Sequence, residues 1–318
     1  YLLLFIGYIL FNNITTDVSI FSISLFASSL CFYVNFIPSA LLLILSFLIF
    51  NKTGLLLAVF SSSLILTIVT LIYKKFKIKP SYEITAFTLV SLCVYIFIGD
   101  TVDTLPVDTR IITSLLTTIL TFLTYSAINS LSKKGLKFKP HIEETFCIFI
   151  FVICLGLGIC NLFFAEIYFG IAIFSLLLFS FIYRIGIASL ISLILAIPLA
   201  IYYGNVNYIS LFLIYSIFSQ CAMPLNRHIS SFLVILSDVV IQLIFNFYGE
   251  YNILYTLPVF IGAVLFSAIP TKPLLILKEN LYQFREKQLS RLSINRNRIM
   301  LSNNLYNLSN VFLDISVS

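Results

Sequence analysis

The chain has no tryptophan and, in 318 residues, only two histidines, two methionines and eleven glycines. Charge is also scarce, at 10% of residues, against roughly 25% in a soluble domain. With only His141 and His228 there is little from which to build a metal centre, and no H-E-x-x-H or Walker loop is present. Gly156 and Gly158 form a lone G-x-G inside the apolar run CLGLGICN. With no strand before them they make no phosphate loop, and close helix packing is the better reading. The six cysteines (Cys31, Cys93, Cys147, Cys154, Cys160 and Cys221) contain no C-x-x-C pair and all lie in apolar runs. That excludes a zinc site or a disulfide framework and leaves reduced packing residues. No paired-carboxylate constellation of a soluble enzyme is present, and nothing calls for a nucleic acid.

What is present is apolar side chain, 60% of the residues, with a mean hydropathy of +1.07. A surface of that composition lacks the polar groups to face water. The expected fold is therefore an all-α polytopic membrane bundle over residues 1–270, followed by a basic, amphipathic, cytoplasmic linker helix over 271–318. Tyr1 already stands in an apolar run without a preceding Met, so the chain is read as a fragment and no signal peptide is sought.

Apolar runs near 1–11, 19–33, 35–50, 54–73, 83–99, 109–131, 145–163, 166–182, 186–203, 207–222, 229–246 and 253–269 give ten to twelve expected crossings. The range is open because 19–33, 35–50 and 207–222 fall short of the roughly 20 residues that a ~30 Å hydrocarbon core requires. Strict alternation places Lys74, Lys75, Lys77, Lys79, Lys133, Lys134, Lys137, Lys139, Arg184 and Arg227 on one side, and only Lys52 and Arg110 on the other. The positive-inside bias makes the first side cytoplasmic, together with everything after Thr271. Asp17, Asp100, Asp103, Asp108, Glu166 and Glu250 fall on the outer side. The three aspartates of GDTVDTLPVD read as a solvated acidic loop. The basic loop 132–144 divides the expected spans six and six, as in transporters with two halves, but no internal repeat accompanies it.

Asp238 stands near the middle of SSFLVILSDVVIQLIFNF, where a charge costs roughly 2.5–3.5 kcal/mol on insertion scales. Ser237 is adjacent and Gln242 one turn on. Together they form either an interhelical polar clamp or a proton- or ion-coupled site with Asp238 as the carrier. No second acid lies at comparable depth, which favours the clamp. Pro198 is expected to free a backbone carbonyl and kink its helix.

The tail carries seven basic residues, Arg285, Lys287, Arg291, Arg296 and Arg298 among them, against three acidic ones, a local charge of +4. Basic residues beside an anionic leaflet contribute about 1 kcal/mol each. Leu274, Leu277, Leu281 and Phe284 follow helical spacing, and Leu305, Leu308, Phe312 and Ile315 repeat it. Gln288, Arg291, Asn295, Arg298 and Ser302 interrupt the frame between them, so one continuous coiled-coil seam is not expected.

The order of a multi-spanning block, the exit AIPTKPLLILKENL, a basic linker and then LSNNLYNLSNVFLDIS resembles the membrane region of the stage II sporulation protein E family. The L-x-x-L-S-x-V-F pattern of that family would fall here on Leu305, Leu308, Ser309, Val311 and Phe312. The resemblance implies a multi-pass anchor in the cytoplasmic membrane, at the division septum of an endospore-forming bacterium. It implies a linker that self-associates and contacts the tubulin-like division protein. It further implies a manganese-dependent PP2C-type serine/threonine phosphatase domain beyond Ser318, acting on a phosphorylated anti-anti-sigma factor to release the forespore sigma factor. No catalytic position or cofactor of that domain falls in these residues. The competing class is a polytopic transporter or lipid-linked saccharide flippase that uses Asp238, and a third is the sensor block of a membrane-bound kinase.

Overall fold

The structure, a computed structural model, describes residues 1–14, 21–30, 36–49, 60, 63–68, 71–72, 75, 107–134, 142–183, 185–245, 256–279, 298–300 and 302. Among these residues the secondary structure is helical, with no strand. The chain divides into two units, Tyr1–Ala268 and Ile269–Ser318.

The first unit contains α1 (Leu2–Asn12), α2 (Ser22–Leu30), α3 (Phe36–Ile49), α4 (Val107–Lys134), α5 (Ile142–Leu162), α6 (Ala165–Ile182), α7 (Ile185–Tyr203), α8 (Asn207–Ala222), α9 (Arg227–Phe245) and α10 (Leu257–Ala268). Each overlaps one of the apolar runs, whereas the run at 83–99 lies outside the described residues. Five stretches are long and apolar enough to cross a membrane: Ser114–Leu131, Ile142–Leu162, Ala165–Ile182, Gly186–Tyr203 and Arg227–Ile244. Counting Leu257–Ala268 together with Thr271–Glu279 gives a sixth. The 16 residues of α8 rise about 24 Å at 1.5 Å each, and the nine of α2 rise less.

From α7 to α9 the connections are tight, and backbone stops and asparagine side chains shape them. Gly204 ends α7 in the left-handed region, with φ of 62°. Its N–H bonds to the Ile201 carbonyl, and the Asn205 N–H to that of Ala200, which is a Schellman stop. Asn205 Oδ1 then accepts the N–H of Asn207 at 3.0 Å, and Asn226 Oδ1 accepts that of His228 at 3.2 Å at the start of α9. Such short links make successive helices antiparallel neighbours.

α6 lies at the centre of the later helices, touching α5, α7, α8, α9 and α10. α5 packs on α1 and α4 as well as on α6 and α7. The first unit therefore does not part at the basic loop 132–144, and α5 is shared by the helices on both sides. The two glycines of α5 allow this. A Cβ on Gly158 would lie 2.3 Å from the Leu10 carbonyl oxygen of α1, and one on Gly156 would lie 2.7 Å from Pro198 Cγ and 2.8 Å from Tyr168 Oη. At α6–α10, a Cβ on Gly262 would meet the Gly170 carbonyl at 2.5 Å.

Pro198 lies inside α7. A helical proline strictly orphans the carbonyl four residues back, here that of Ile194. The Tyr168 hydroxyl of α6 donates to the next carbonyl, that of Leu195, at 3.0 Å.

On α4 the side-chain distribution is inverted relative to a water-soluble helix. On α4, Ser114, Thr117, Thr121 and Thr124 are buried while Ile112, Leu115, Ile119 and Phe122 are each more than half exposed. The buried hydroxyl row follows helical spacing and faces α2, where Thr124 Oγ1 donates to the Ser24 carbonyl at 3.5 Å. Small polar residues inside and large aliphatic ones outside is the arrangement expected when the surrounding solvent is lipid. An aromatic and aliphatic core with Tyr8, Phe11, Phe26, Leu43 and Phe47 joins α1, α2 and α3.

In the second unit, α11 (Thr271–Glu279) is helical, with Leu275, Ile276 and Leu277 exposed. Residues 298–300 are helical too, and Arg298 is exposed. Arg285, Lys287, Arg291, Arg296, Leu305, Leu308, Val311, Phe312 and Ile315 lie outside the described residues.

Candidate functional site: the polar contacts of α7, α8 and α9

Asp238 is fully buried on α9. The Tyr215 hydroxyl of α8 donates to its Oδ1, and Gln242 Nε2, one turn along α9, donates to its Oδ2 at 2.9 Å. Both carboxylate oxygens therefore accept a hydrogen bond from the protein, one across a helix interface and one within α9. The Tyr215 ring is held in turn by Phe212, at 5.9 Å between centroids, and Phe212 by Phe169 of α6 at 5.6 Å. The hydroxyl that meets Asp238 thus projects from a packed aromatic row. Gln242 is 2% exposed, and its Oε1 has no hydrogen-bond partner among the described residues.

Ser237 does not join this cluster. Its hydroxyl donates back to the Val234 carbonyl of its own helix at 2.8 Å, the local bond that helical serines commonly make. The interhelical partner is Tyr215, which the sequence reading did not single out. Tyr215 and Asp238 lie within about one helical turn of equal depth from the α8–α9 connection, and a depth-matched search for polar residues would have paired them.

Towards that connection, the same interface carries a run of hydroxyls. Ser230 Oγ lies 3.0 Å from the Ser219 carbonyl and 3.2 Å from its Oγ. Gln220 Nε2 donates to Ser216 Oγ at 2.9 Å and to Ser189 Oγ of α7 at 3.4 Å, and Ser216 Oγ lies 3.2 Å from Ser189 Oγ. Hydrogen-bonded serine and glutamine contacts therefore link α7 to α8 at Ser189 and α8 to α9 at Ser230.

A second polar group ties the early helices together. Tyr8 Oη of α1 lies 2.6 Å from Ser39 Oγ of α3 and 3.4 Å from Ser29 Oγ of α2. Asn12 Nδ2 donates to Ser46 Oγ at 2.8 Å, and Asn161 Nδ2 of α5 to the Ile14 carbonyl at 2.9 Å.

Cys147, Cys154 and Cys160 are buried free thiols, but Cys221 is exposed. It faces away from the packed interior, because the buried face of α8 is taken by Tyr215, Ser219 and Ala222. Cys31 and Cys93 lie outside the described residues, as do Arg184, Asp100 and Asp103. Arg227 is part-buried, and Asp108 is exposed in the first turn of α4, where a carboxylate complements the helix dipole. Among the described residues no group of three or more His, Cys, Asp or Glu side chains is placed to hold a metal.

The spanning-length helices, with the exposed aliphatic face and buried hydroxyl row of α4, define the class: a helical membrane protein. Compared with known proteins, the chain matches no family model, no curated sequence and no solved structure.

Proposed function

We propose that this chain is a multi-pass membrane anchor, with ten to twelve crossings and a cytoplasmic C-terminal arm. It would position a soluble partner domain at the bilayer, as the resemblance to stage II sporulation protein E implies. The observation that carries this reading is the bonding of Asp238. A carrier residue must release its ligand or proton into a path, whereas this carboxylate is buried with one oxygen on Tyr215 and the other on Gln242. That is the arrangement of a clamp between α8 and α9.

In this reading the bilayer is the first partner, and the basic stretch through Arg298 lies against the anionic inner leaflet. The segment Leu305–Ile315 would self-associate. The attached domain would be a manganese-dependent serine/threonine phosphatase brought to the septum, near the tubulin-like division protein and its phosphorylated anti-anti-sigma substrate. Location and effective concentration are what an anchor supplies.

Reading the coding frame beyond Ser318, with a fluorescent reporter fused at that point, tests the proposal. A continuing frame with metal-binding aspartates, together with a reporter that is membrane-bound, fluorescent inside the cell and enriched at septa, supports it. A reporter on the outer side refutes it. So does an Asp238→Asn variant that stays folded and loses a solute flux, which would transfer the function to the transport class.

A further inference from the structure

At the end of the bundle where α6 begins, α7 ends and α8 begins, five side chains meet outside the polar interfaces described above. Glu166 is exposed in the first turn of α6. Its Oε1 accepts the Tyr203 hydroxyl at 3.5 Å. The Tyr202 and Tyr203 rings are perpendicular, with centroids 5.0 Å apart, and the two residues are 44% and 42% exposed. Behind them the buried Tyr208 stacks on Tyr203 at 5.0 Å and 15°, and Phe169 meets Tyr208 edge-on at 6.3 Å. The Schellman stop at Gly204 fixes the turn that brings Tyr203 over Tyr208. The rings are therefore set in place before anything binds.

We infer that the corner formed by Glu166, Tyr202 and Tyr203 binds an organic ammonium group. Aromatic faces attract a cation within about 6 Å of the ring centre through their quadrupole, more strongly as water is excluded. The neighbouring carboxylate supplies the compensating charge, and Tyr203 orients it. A calcium ion is a poor fit, because it takes six to eight oxygen ligands and Glu166 is the one carboxylate at the corner among the described residues. An ammonium needs only one acceptor and an apolar wall. By the charge bias of the sequence this end would face the outer side, where a helix end meets lipid headgroups. The group can therefore come from a phosphatidylethanolamine headgroup or from a soluble amine. An ordinary interfacial aromatic belt would show no such preference. The inference is independent of the anchor reading.

The test uses the whole chain in lipid nanodiscs. In one arm, discs contain equal phosphatidylglycerol and phosphatidylethanolamine, and native mass spectrometry counts the lipids retained. In the other, discs of phosphatidylglycerol alone are titrated with tetramethylammonium chloride by calorimetry, with sodium chloride as the matched control. Retention of the ethanolamine lipid assigns the site to a headgroup, and tetramethylammonium binding assigns it to a soluble amine; either result supports the site. Glu166→Gln and Tyr202→Leu each weaken binding about two- to fivefold, the range for one exposed ion pair or one ring face. Both changes are on the exposed rim, and unchanged helical circular dichroism verifies the fold. No ammonium preference in either arm, or a preference that both variants leave intact, overturns the inference.

Discussion

Replacing Tyr215 with Phe removes a single oxygen and leaves the aromatic row on α8 in place. Among the described residues it takes from Asp238 Oδ1 the one donor that comes from another helix. Hydrogen bonds to a charged group contribute about 1.5–3 kcal/mol in soluble proteins, whereas interhelical bonds within membranes average about 0.6 and reach about 1.7 kcal/mol. The expected loss for Tyr215→Phe is about 1–1.7 kcal/mol, the upper part of the membrane range, since a buried carboxylate is left one donor short. Asp238→Asn behaves differently. The amide keeps an oxygen for Tyr215, and its Nδ2 can donate to Gln242 Oε1, the buried atom that lacks a partner, once the Gln242 amide turns over. It also removes the insertion cost of a charge, so stability should hold within about 0.5 kcal/mol or rise. In the Asp238→Asn background the Tyr215→Phe penalty should fall by about half, because neutral hydrogen bonds are roughly half as strong as charge-assisted ones. Reversible unfolding of the four variants in bicelles, analysed as a double-mutant cycle, reads all of these values. The clamp argument fails if Asp238→Asn destabilises as much as Tyr215→Phe, or if the two changes are strictly additive.

Three further sets of variants probe other parts of the molecule by the same unfolding assay or by simple localisation. Gly158→Ala and Gly262→Ala each push a methyl into a backbone carbonyl, at 2.3 and 2.5 Å, and should lose about 1–3 kcal/mol as overpacked contacts do. Gly186→Ala, in the first turn of α7 with nothing within 4 Å of the added carbon, should instead be neutral or gain up to about 0.5 kcal/mol from helix propensity. If both kinds of change behave alike, the helix crossings are misplaced. Gly204→Ala forces φ of 62° on a residue with a Cβ and should cost about 1 kcal/mol, read as a lower melting temperature. In the tail, Leu308→Asp or Phe312→Asp should abolish self-association of a tagged chain in cross-linking while membrane insertion is unchanged, and normal cross-linking would remove the linker from the proposal.

The runs that became long helices were legible because continuous apolarity fixes where a chain can sit in hydrocarbon, whatever it packs against. The short run 207–222 was also legible as short: it holds α8, of 16 residues. What composition could not convey was pairing across the chain. Asp238 and Gln242 stand out in one helix by periodicity, but the Tyr215 bond depends on how α8 and α9 align in depth, and Ser237, which looked like part of the same stripe, bonds within its own turn. The hydroxyl row on α4 was readable at Ser114, Thr117, Thr121 and Thr124 by its helical spacing. It went unnoticed because threonine and serine are too weakly polar to interrupt a hydropathy profile. Gly156 and Gly158 could be assigned to packing from sequence, yet nothing local distinguishes a glycine that meets Pro198 from one that meets the backbone of α1.

The shared position of α5 sets a schedule for biogenesis. α1 presents Asn12 and the Ile14 carbonyl early, but the side chain that bonds that carbonyl, Asn161, follows 147 residues later. At a synthesis rate of ~5–20 residues per second, the first helices wait on the order of ten seconds or more in or beside the insertion machinery before their permanent neighbour arrives. During that interval the face that Gly158 will later cover is open to lipid or to a chaperone. Slowed translation between α4 and α5 should therefore lower the yield of assembled protein more than the same delay placed after α10.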